Sequence, residues 1–587
     1  MQADTGKAAK ITLPDGIDSI LASVLQRRLK AITEEMGLTL LRTTHSPILN
    51  EARDFVTGLY DAEGRMLEQT EYIPVLAFAL QPVCRIIIDA FAGDIHEGDV
   101  FLHNDVFSGG NQNNDVAVFR PIFFGGELAA WAACKGHQAD IGGGVRGGYN
   151  PGAREVWQEA FRIPPVKVYA VGKRLDDVWN LIFANVRLSI VEDDINAQIG
   201  GTTVGERGLK AVLERYGRRC FDDHMEHLFA ATERMVCAEI TAIPDGIYEG
   251  ESEAFYDGFH DGSRMKIKLA ATVAGGRLSF DFAGTSPETE GFVNAPLAAT
   301  SSAVLLTFLM LINPDIPHND GLTRPVDIAV PAGSFLNAGY PAATTFGNTL
   351  TGPISDAIFR AFAPVLPGRV TAGWNRMLGV ALSGTDPGKD DSDFVDILFL
   401  SLKGGSGAAR DVDGYDHIGL INCAGGILAQ DYEMFELQNP VQLRHHEYAP
   451  DTAGPGKWRG GYGVETEIVL GGEDMSAVVF GDGVEEEARA FGLYGGGAGA
   501  LNTLSFTYPD GKIHAPKSKE IVGAIPTGTV LTQRAGGGGG YGDPLERSPS
   551  AVAEEVAGGL LSEARARADY GLDIRSDASA KPRGAPK

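Results

Sequence analysis

Between Ile17 and Leu41, apolar residues fall at Ile17, Ile20, Leu21, Val24, Leu25, Leu29 and Ile32, a spacing that predicts an N-terminal amphipathic helix. The pattern then shortens. "RDFVTGLYDAEGRMLEQ" reads as β-structure turning at "DAEG", and the glycine-punctuated strand pattern continues as far as two polar islands, "SGGNQNNDVAVF" and "KGHQADIGGG". Helical spacing returns between Leu175 and Ile243, in "LDDVWNLIFANVRLSIVEDDINAQIGG" and "DDHMEHLFAATERMVCAEITAI", each opening on the acidic residues that suit a helix N-terminus. After "IPDGIYEGE" the period drops to two, so "RMKIKLAATV", the turn "AGG" and "RLSFDF" predict a strand pair. A helix is expected near Thr300 to Asn313. From about Glu447 to Arg534 the chain reads mostly as strands, through "ETEIVLGG", "SAVVFGDG" and "TLSFTYPDGK". A short helix over Ser550 to Tyr570 then precedes a Pro/Lys/Arg-rich tail.

These elements predict a mixed α+β, multi-domain fold with helical N-terminal elements and a β-rich C-terminal part. The expected division is a disordered N-terminus at 1–15, an α/β region carrying the polar islands at 16–245, and a mixed region at 246–445. A β-rich region at 446–548, a helix at 549–571 and a disordered tail at 572–587 complete it. A chain of 587 residues fits roughly three or four domains and buries ample apolar surface.

Charge narrows the partners. Fifty basic residues stand against 77 acidic ones, and the resulting net charge of −27 would repel a polyphosphate backbone, so nucleic acid is not an expected partner. The N-terminal stretch lacks the apolar segment of a secretory signal. The most apolar run, "SAVLLTFLMLI", is about half the length of a membrane span and reads as a buried helix. Five scattered cysteines without C-x-x-C spacing suit a reducing cytoplasm and do not make a zinc site.

Several groups carry candidate chemistry. The run Gly536 to Gly540 could cradle an anion with its backbone N–H groups, but no lysine-containing phosphate loop accompanies it, and a structural turn or close backbone approach is the favoured reading. His445, His446 and Glu447 could supply a ligand or a base. Adjacent strand residues face opposite ways, however, and a structural role is favoured. His45 is equally open. The polar islands offer more: Asp54, Gln112, Asp115 and His137 come from what look like separate strand ends, and a carboxylate with an imidazole can complete a divalent-metal site or act as a base with its orienting partner.

At these residues the chain resembles the B-type subunit of the hydantoinase/5-oxoprolinase family, whose relatives include N-methylhydantoinase, the large subunit of acetone carboxylase and a subunit of acetophenone carboxylase. The matching stretches include "EARDFVTGLYDAEGRML", "GDVFLHNDVFSGG", "KGHQADIGGG", "QEAFRIPPVKVY", "PDTAGPGKWRGGYG" and "GGGGYGDPLERSPSAVAEEV", and run from about residue 16 to 570. The resemblance implies an A-type partner that uses ATP and Mg²⁺ to phosphorylate an amide or ketone enolate, possible further small subunits, and a B-type subunit where the activated species is hydrolysed or carboxylated. It also implies a metal site at Asp54, Asp115 and His137. Here the pattern departs: where metal-containing relatives have a histidine in "GGTHxxD" this chain has Gln112, and "HHxD" is "HQAD".

That departure points to a weakened metal site in which neutral amides hold the substrate. Asn111, Gln112 and Asn114, with Asp140, are the expected substrate-binding residues, and His137, Asp115 and Asp54 the expected catalytic ones. The expected reaction is ATP-dependent ketone carboxylation of the acetophenone type, with bicarbonate as co-substrate. Hydrolysis of a hydantoin, oxoproline or lactam is the alternative, and a non-catalytic scaffold a further one.

Overall fold

The computed structural model describes residues 17–574. The stretch expected to be disordered at 1–15 lies outside them, as does the tail from 575 onward. Among the described residues no helix is long and apolar enough to cross a membrane, and all five cysteines are free. The chain is mixed α+β, with four sheets among the described residues.

The first sheet comprises β1 (Phe55–Asp61), β2 (Met66–Glu71), β3 (Val100–His103), β4 (Asp115–Phe124), β5 (Glu127–His137), β6 (Val166–Ala170) and β7 (Lys173–Arg174), in the order β2-β1-β5-β4-β3-β6-β7. Every pairing in it is antiparallel. The predicted hairpin is β1–β2. Small residues let the interior strand β5 be covered on both faces: Ala130, Ala132 and Cys134 meet the long helices Ser19–Thr43 and Ile190–Tyr216, packing with Leu25, Leu29, Ile32, Met36 and Leu209. Trp131 and Ala133 point the other way, into the largest core, so by strand alternation Lys135 and His137 share that face. The same alternation on β4 puts Ala117 and Phe119 in the large core, and Asp115 with them.

The predicted pair Arg264–Ala274 and Arg277–Asp281 forms the middle of the second sheet, flanked by Gly246–Phe255 and, in parallel, Val326–Ala329. The apolar run is the helix Leu297–Leu311, which packs with Thr351–Phe362. The third sheet joins Leu378–Asp386 and Ser392–Ile397 to Glu473–Gly481 and Lys519–Ile525, so it takes strands from both sides of residue 445. The fourth comprises Val441–Tyr448, Val464–Leu470, Thr503–Thr507, Ile513–His514 and Val530–Arg534.

One local expectation needs correction. The C-terminal helix is two helices, Pro549–Ala557 and Glu563–Tyr570, because Gly558 and Gly559 close the first and Gly559 takes a left-handed φ of 75°. The five-glycine run makes the close backbone approach expected of it, threading between other glycine-rich segments. A Cβ on Gly538 would lie 1.8 Å from the Ser406 carbonyl oxygen, and one on Gly539 2.0 Å from that of Phe491. The N–H groups of Gly538, Gly539 and Gly540 donate to the carbonyls of Gly461, Gly373 and Gly497 at 2.9–3.0 Å, so these donors are consumed by the fold rather than presented to a phosphate.

Candidate active site

Three adjacent strand ends deliver the candidate residues to one place. In the β4–β5 register Asp115 lies opposite His137, and in the β1–β5 register Phe55 lies opposite Gly136. The backbone N–H of His137 donates to the Asp54 carbonyl at 3.0 Å. His137 Nδ1 and Asp115 Oδ1 are 2.9 Å apart, and both side chains are buried.

Asp115 is encircled by amides. Its Oδ2 accepts from Asn111 Nδ2 at 2.5 Å and from Asn348 Nδ2 at 3.1 Å. Asn348 Nδ2 also reaches Gln112 Oε1 at 3.0 Å, while Gln112 Nε2 donates to the Thr345 carbonyl at 2.8 Å. Beneath them the fully buried Lys135 donates from Nζ to Asn111 Oδ1 at 2.7 Å. Burial pulls its ammonium down to about 8 against the pull of the Asp115 carboxylate.

A small cavity lies above this layer. Asp54, Gln112, His137 and Asn348 give it one polar side, and Leu76, Met377, Phe399, Leu420, Ile427 and Phe480 supply apolar walls. The Tyr149 ring stacks against Phe480 at 3.8 Å between centroids, and against His137 at 5.9 Å. Two buried atoms on the polar side have no hydrogen-bond partner, His137 Nε2 and Asp54 Oδ1. Burial opposes a charge on the His137 imidazole, but the Asp115 hydrogen bond and the charges of Asp115 and Asp54 outweigh it and hold the ring above its ordinary value. Asp54 is pushed up to about 7 by burial, with His137 pulling against the rise and Asp115 adding to it. The arrangement offers an oriented imidazole with one nitrogen open to the cavity, and a second group able to exchange a proton near neutral pH.

Other candidates lie apart from the cavity. Asp140 accepts from the backbone N–H groups of Gly142, Gly147 and Arg187 and pairs with the Arg187 guanidinium at 2.9 Å, so its carboxylate holds the glycine loop after β5. Asn114 donates to the Gly147 carbonyl in the same loop. Both shape the site's rim; neither lines the cavity. His45 borders a separate surface cleft. His446 hydrogen-bonds Thr466 Oγ1 at 2.8 Å and packs against His417, remote from Asp115.

Sequence reading missed Asn348, Tyr149 and Lys135. Asn348 sits in "TFGNTL", a Gly/Asn/Thr cluster that looks like any loop, and only folding brings it to Gln112. That loop is fastened from below by the buried Glu159, which accepts from the N–H groups of Thr344 and Thr345, each at 2.8 Å. Lys135 did carry a signal: a lysine two residues before His137 on an otherwise apolar strand must share its face.

The donor set does not fit the divalent ion that the motifs imply. Asp115 uses both oxygens on His137, Asn111 and Asn348, and the Gln112 amide is bound at both ends. His137 Nε2 and the Asp54 carboxylate remain open, and no group of three or more His, Cys, Asp or Glu side chains among the described residues is placed to hold a metal.

Residues 18–544 match the Hydantoinase B/oxoprolinase family. The chain belongs to that family. Caprolactamase subunit beta of Pseudomonas jessenii is 34% identical over 575 residues, covering 95% of this chain and 96% of its own length. The 5-oxoprolinase 1 of Arabidopsis thaliana is 28% identical over 555 residues, covering 90% of this chain and 42% of the larger relative. The crystal structure of the ATP-dependent caprolactamase from Pseudomonas jessenii matches with a TM-score of 0.88 at 31% identity, over 96% of this chain and 98% of the other. Nucleotide-free acetone carboxylase matches with a TM-score of 0.89 at 21% identity, over 96% and 81%, a likeness of fold. The chain is therefore a member of a family whose matched relatives include a caprolactamase subunit and a 5-oxoprolinase.

Proposed function

We propose that this chain completes the ATP-dependent opening of a small cyclic amide whose carbonyl oxygen has been phosphorylated on an A-type ATPase partner, with ATP and Mg²⁺ bound by that partner. The observation that supports this reading best is the state of His137: Nδ1 is held by Asp115 and Nε2 opens, unpartnered, into an apolar cavity. Such a ring is a general base with its orienting carboxylate. Water adds to the phosphorylated carbon and passes one proton through His137 Nε2 to the nitrogen of the cyclic amide. As the C–N bond breaks, the hydroxyl on that carbon gives its remaining proton to the same nitrogen through the same imidazole, leaving an acyl phosphate and a free amine. A second water then cleaves the acyl phosphate to carboxylate and phosphate. Asn348 and Gln112 border the cavity with their amides engaged on Asp115, one another and Thr345, so they hold the catalytic pair in place beside the reacting group. The 34% identity to a caprolactamase subunit over nearly the whole chain supports the same direction.

A second reading, ketone carboxylation of the acetophenone type with bicarbonate as co-substrate, draws on a different observation. The site's neutral amides and the water-poor walls around Met377, Phe399 and Phe480 suit an enol phosphate meeting CO₂. Reconstitution with an A-type partner separates the two. ADP release driven by a neutral lactam without bicarbonate supports hydrolysis; release that needs acetophenone and bicarbonate together overturns it in favour of carboxylation. Neither activity, in a complex that assembles, leaves the scaffold reading.

A further inference from the structure

We infer that Lys135 is a positioning residue that fixes the direction of the Asn111 amide beneath the cavity and, through it, holds Asp115 as the acceptor that keeps His137 Nε2 free to accept a proton. The inference rests on the assignment of His137 as the base, and follows from which groups can only donate.

An ammonium has donors and no acceptor, so the 2.7 Å contact of Lys135 Nζ fixes the Asn111 amide with Oδ1 towards the lysine. The Asn111 Nδ2 group must then face Asp115 Oδ2, as it does at 2.5 Å, and its other reach is to Asn348 Oδ1 at 3.2 Å. Asn348 is oriented in turn, with its own Nδ2 on Asp115 Oδ2 and Gln112 Oε1. Asp115 Oδ2 therefore accepts from two amides, which leaves Oδ1 to accept from His137. The proton between Asp115 and His137 then sits on Nδ1, and Nε2 carries the lone pair. Reversing Asn111 would set an amide oxygen against a carboxylate oxygen. Lys135 also supplies a cation for a carboxylate with no exposed surface, at the one position where β5 alternation points a side chain under His137 past the small Ala117 on the neighbouring strand.

The test uses the full chain, alone and in its reconstituted complex. Nitrogen-labelled histidine spectra of the isolated chain, with the His137 signal identified by its loss in His137→Ala, report the tautomer without needing turnover. At a pH high enough to leave the ring neutral, the expected result is Nδ1–H in the wild type and loss of that single tautomer in Lys135→Met. A wild-type ring protonated at Nε2, or an unchanged tautomer in Lys135→Met, overturns the inference whatever the complex catalyses. In the complex, on whichever substrate supports turnover, Lys135→Met lowers kcat about 10–100-fold with KM within about twofold. Added to Asn111→Ala it costs little more, because both act through one amide. Losses that multiply, or a folded fraction with normal kcat, reduce Lys135 to a core lysine. Failure of the lactam assay with an intact tautomer result overturns the hydrolase reading and leaves this one standing.

Discussion

Asn348 Nδ2 donates to Gln112 Oε1 at 3.0 Å, tying together residues 236 positions apart in the chain. The same amide reaches Asp115, so the loop after the second sheet completes a site whose other half sits on the first. Asn348→Ala should lower kcat/KM by about 10–100-fold, the range for a lost bond to a charged group. Asn348→Asp should be worse than Asn348→Ala, because it places one carboxylate against another. Steady-state kinetics of the two variants give the order, and equal activities would place Asn348 outside the site.

His137→Ala removes the base and should reduce turnover by roughly 10²–10⁴-fold while the thermal midpoint moves little. A large drop in midpoint with near-normal activity in the surviving folded fraction would instead mark His137 as a packing residue.

Gln112→His adds an imidazole beside His137 Nε2 and Asp54, the two open donors of the cavity. The variant should retain Zn²⁺ or Mn²⁺ near stoichiometrically after exposure and desalting, and the wild type should not. Elemental analysis of both proteins decides it, and equal metal content would refute Gln112 as the missing ligand position.

Burial raises Glu159 to about 7, while the two backbone N–H bonds pull the other way. A raised folded value means that its contribution to stability is complete below the ordinary glutamate range, at acid pH where both states hold the proton, and is lost as pH rises through about 7. Glu159→Gln cannot ionise. It should be less stable throughout, having one acceptor oxygen for two N–H groups, but should show a smaller fall in thermal midpoint between about pH 5 and about pH 8. Parallel curves for the two proteins would disprove the assignment.

Gly538→Ala forces a methyl group onto the Ser406 carbonyl and should destabilise by more than about 4 kcal/mol, or prevent soluble expression. Gly523→Ala, where a Cβ meets nothing within 4 Å, is the control and should stay within about 0.5 kcal/mol of wild type. Similar midpoints for the two would mean that the glycine segments are not closely packed.

Periodicity alone determined most of the elements, because a strand or helix that buries one face must repeat its apolar residues at the period of that face. It placed the helix Ser19–Thr43, the β1–β2 hairpin, the helices between 176 and 241 and the pair Arg264–Ala274 with Arg277–Asp281. Motif spacing also brought Asp54, Asp115 and His137 under one suspicion, since all three stand at strand ends. Tertiary structure decided what those residues face. Asp140 and Asn114 have the composition of a binding site and serve a loop; Asn348 and Glu159 look like loop and helix-edge residues and shape the site. Glycine in sequence reads equally as a turn, a phosphate cradle or a close crossing, and only the carbonyls of Ser406 and Phe491, from segments far away in the chain, select the crossing. Local sequence sets backbone preference and side-chain direction. Which groups meet across hundreds of residues depends on how whole sheets pack, and no local pattern encodes that.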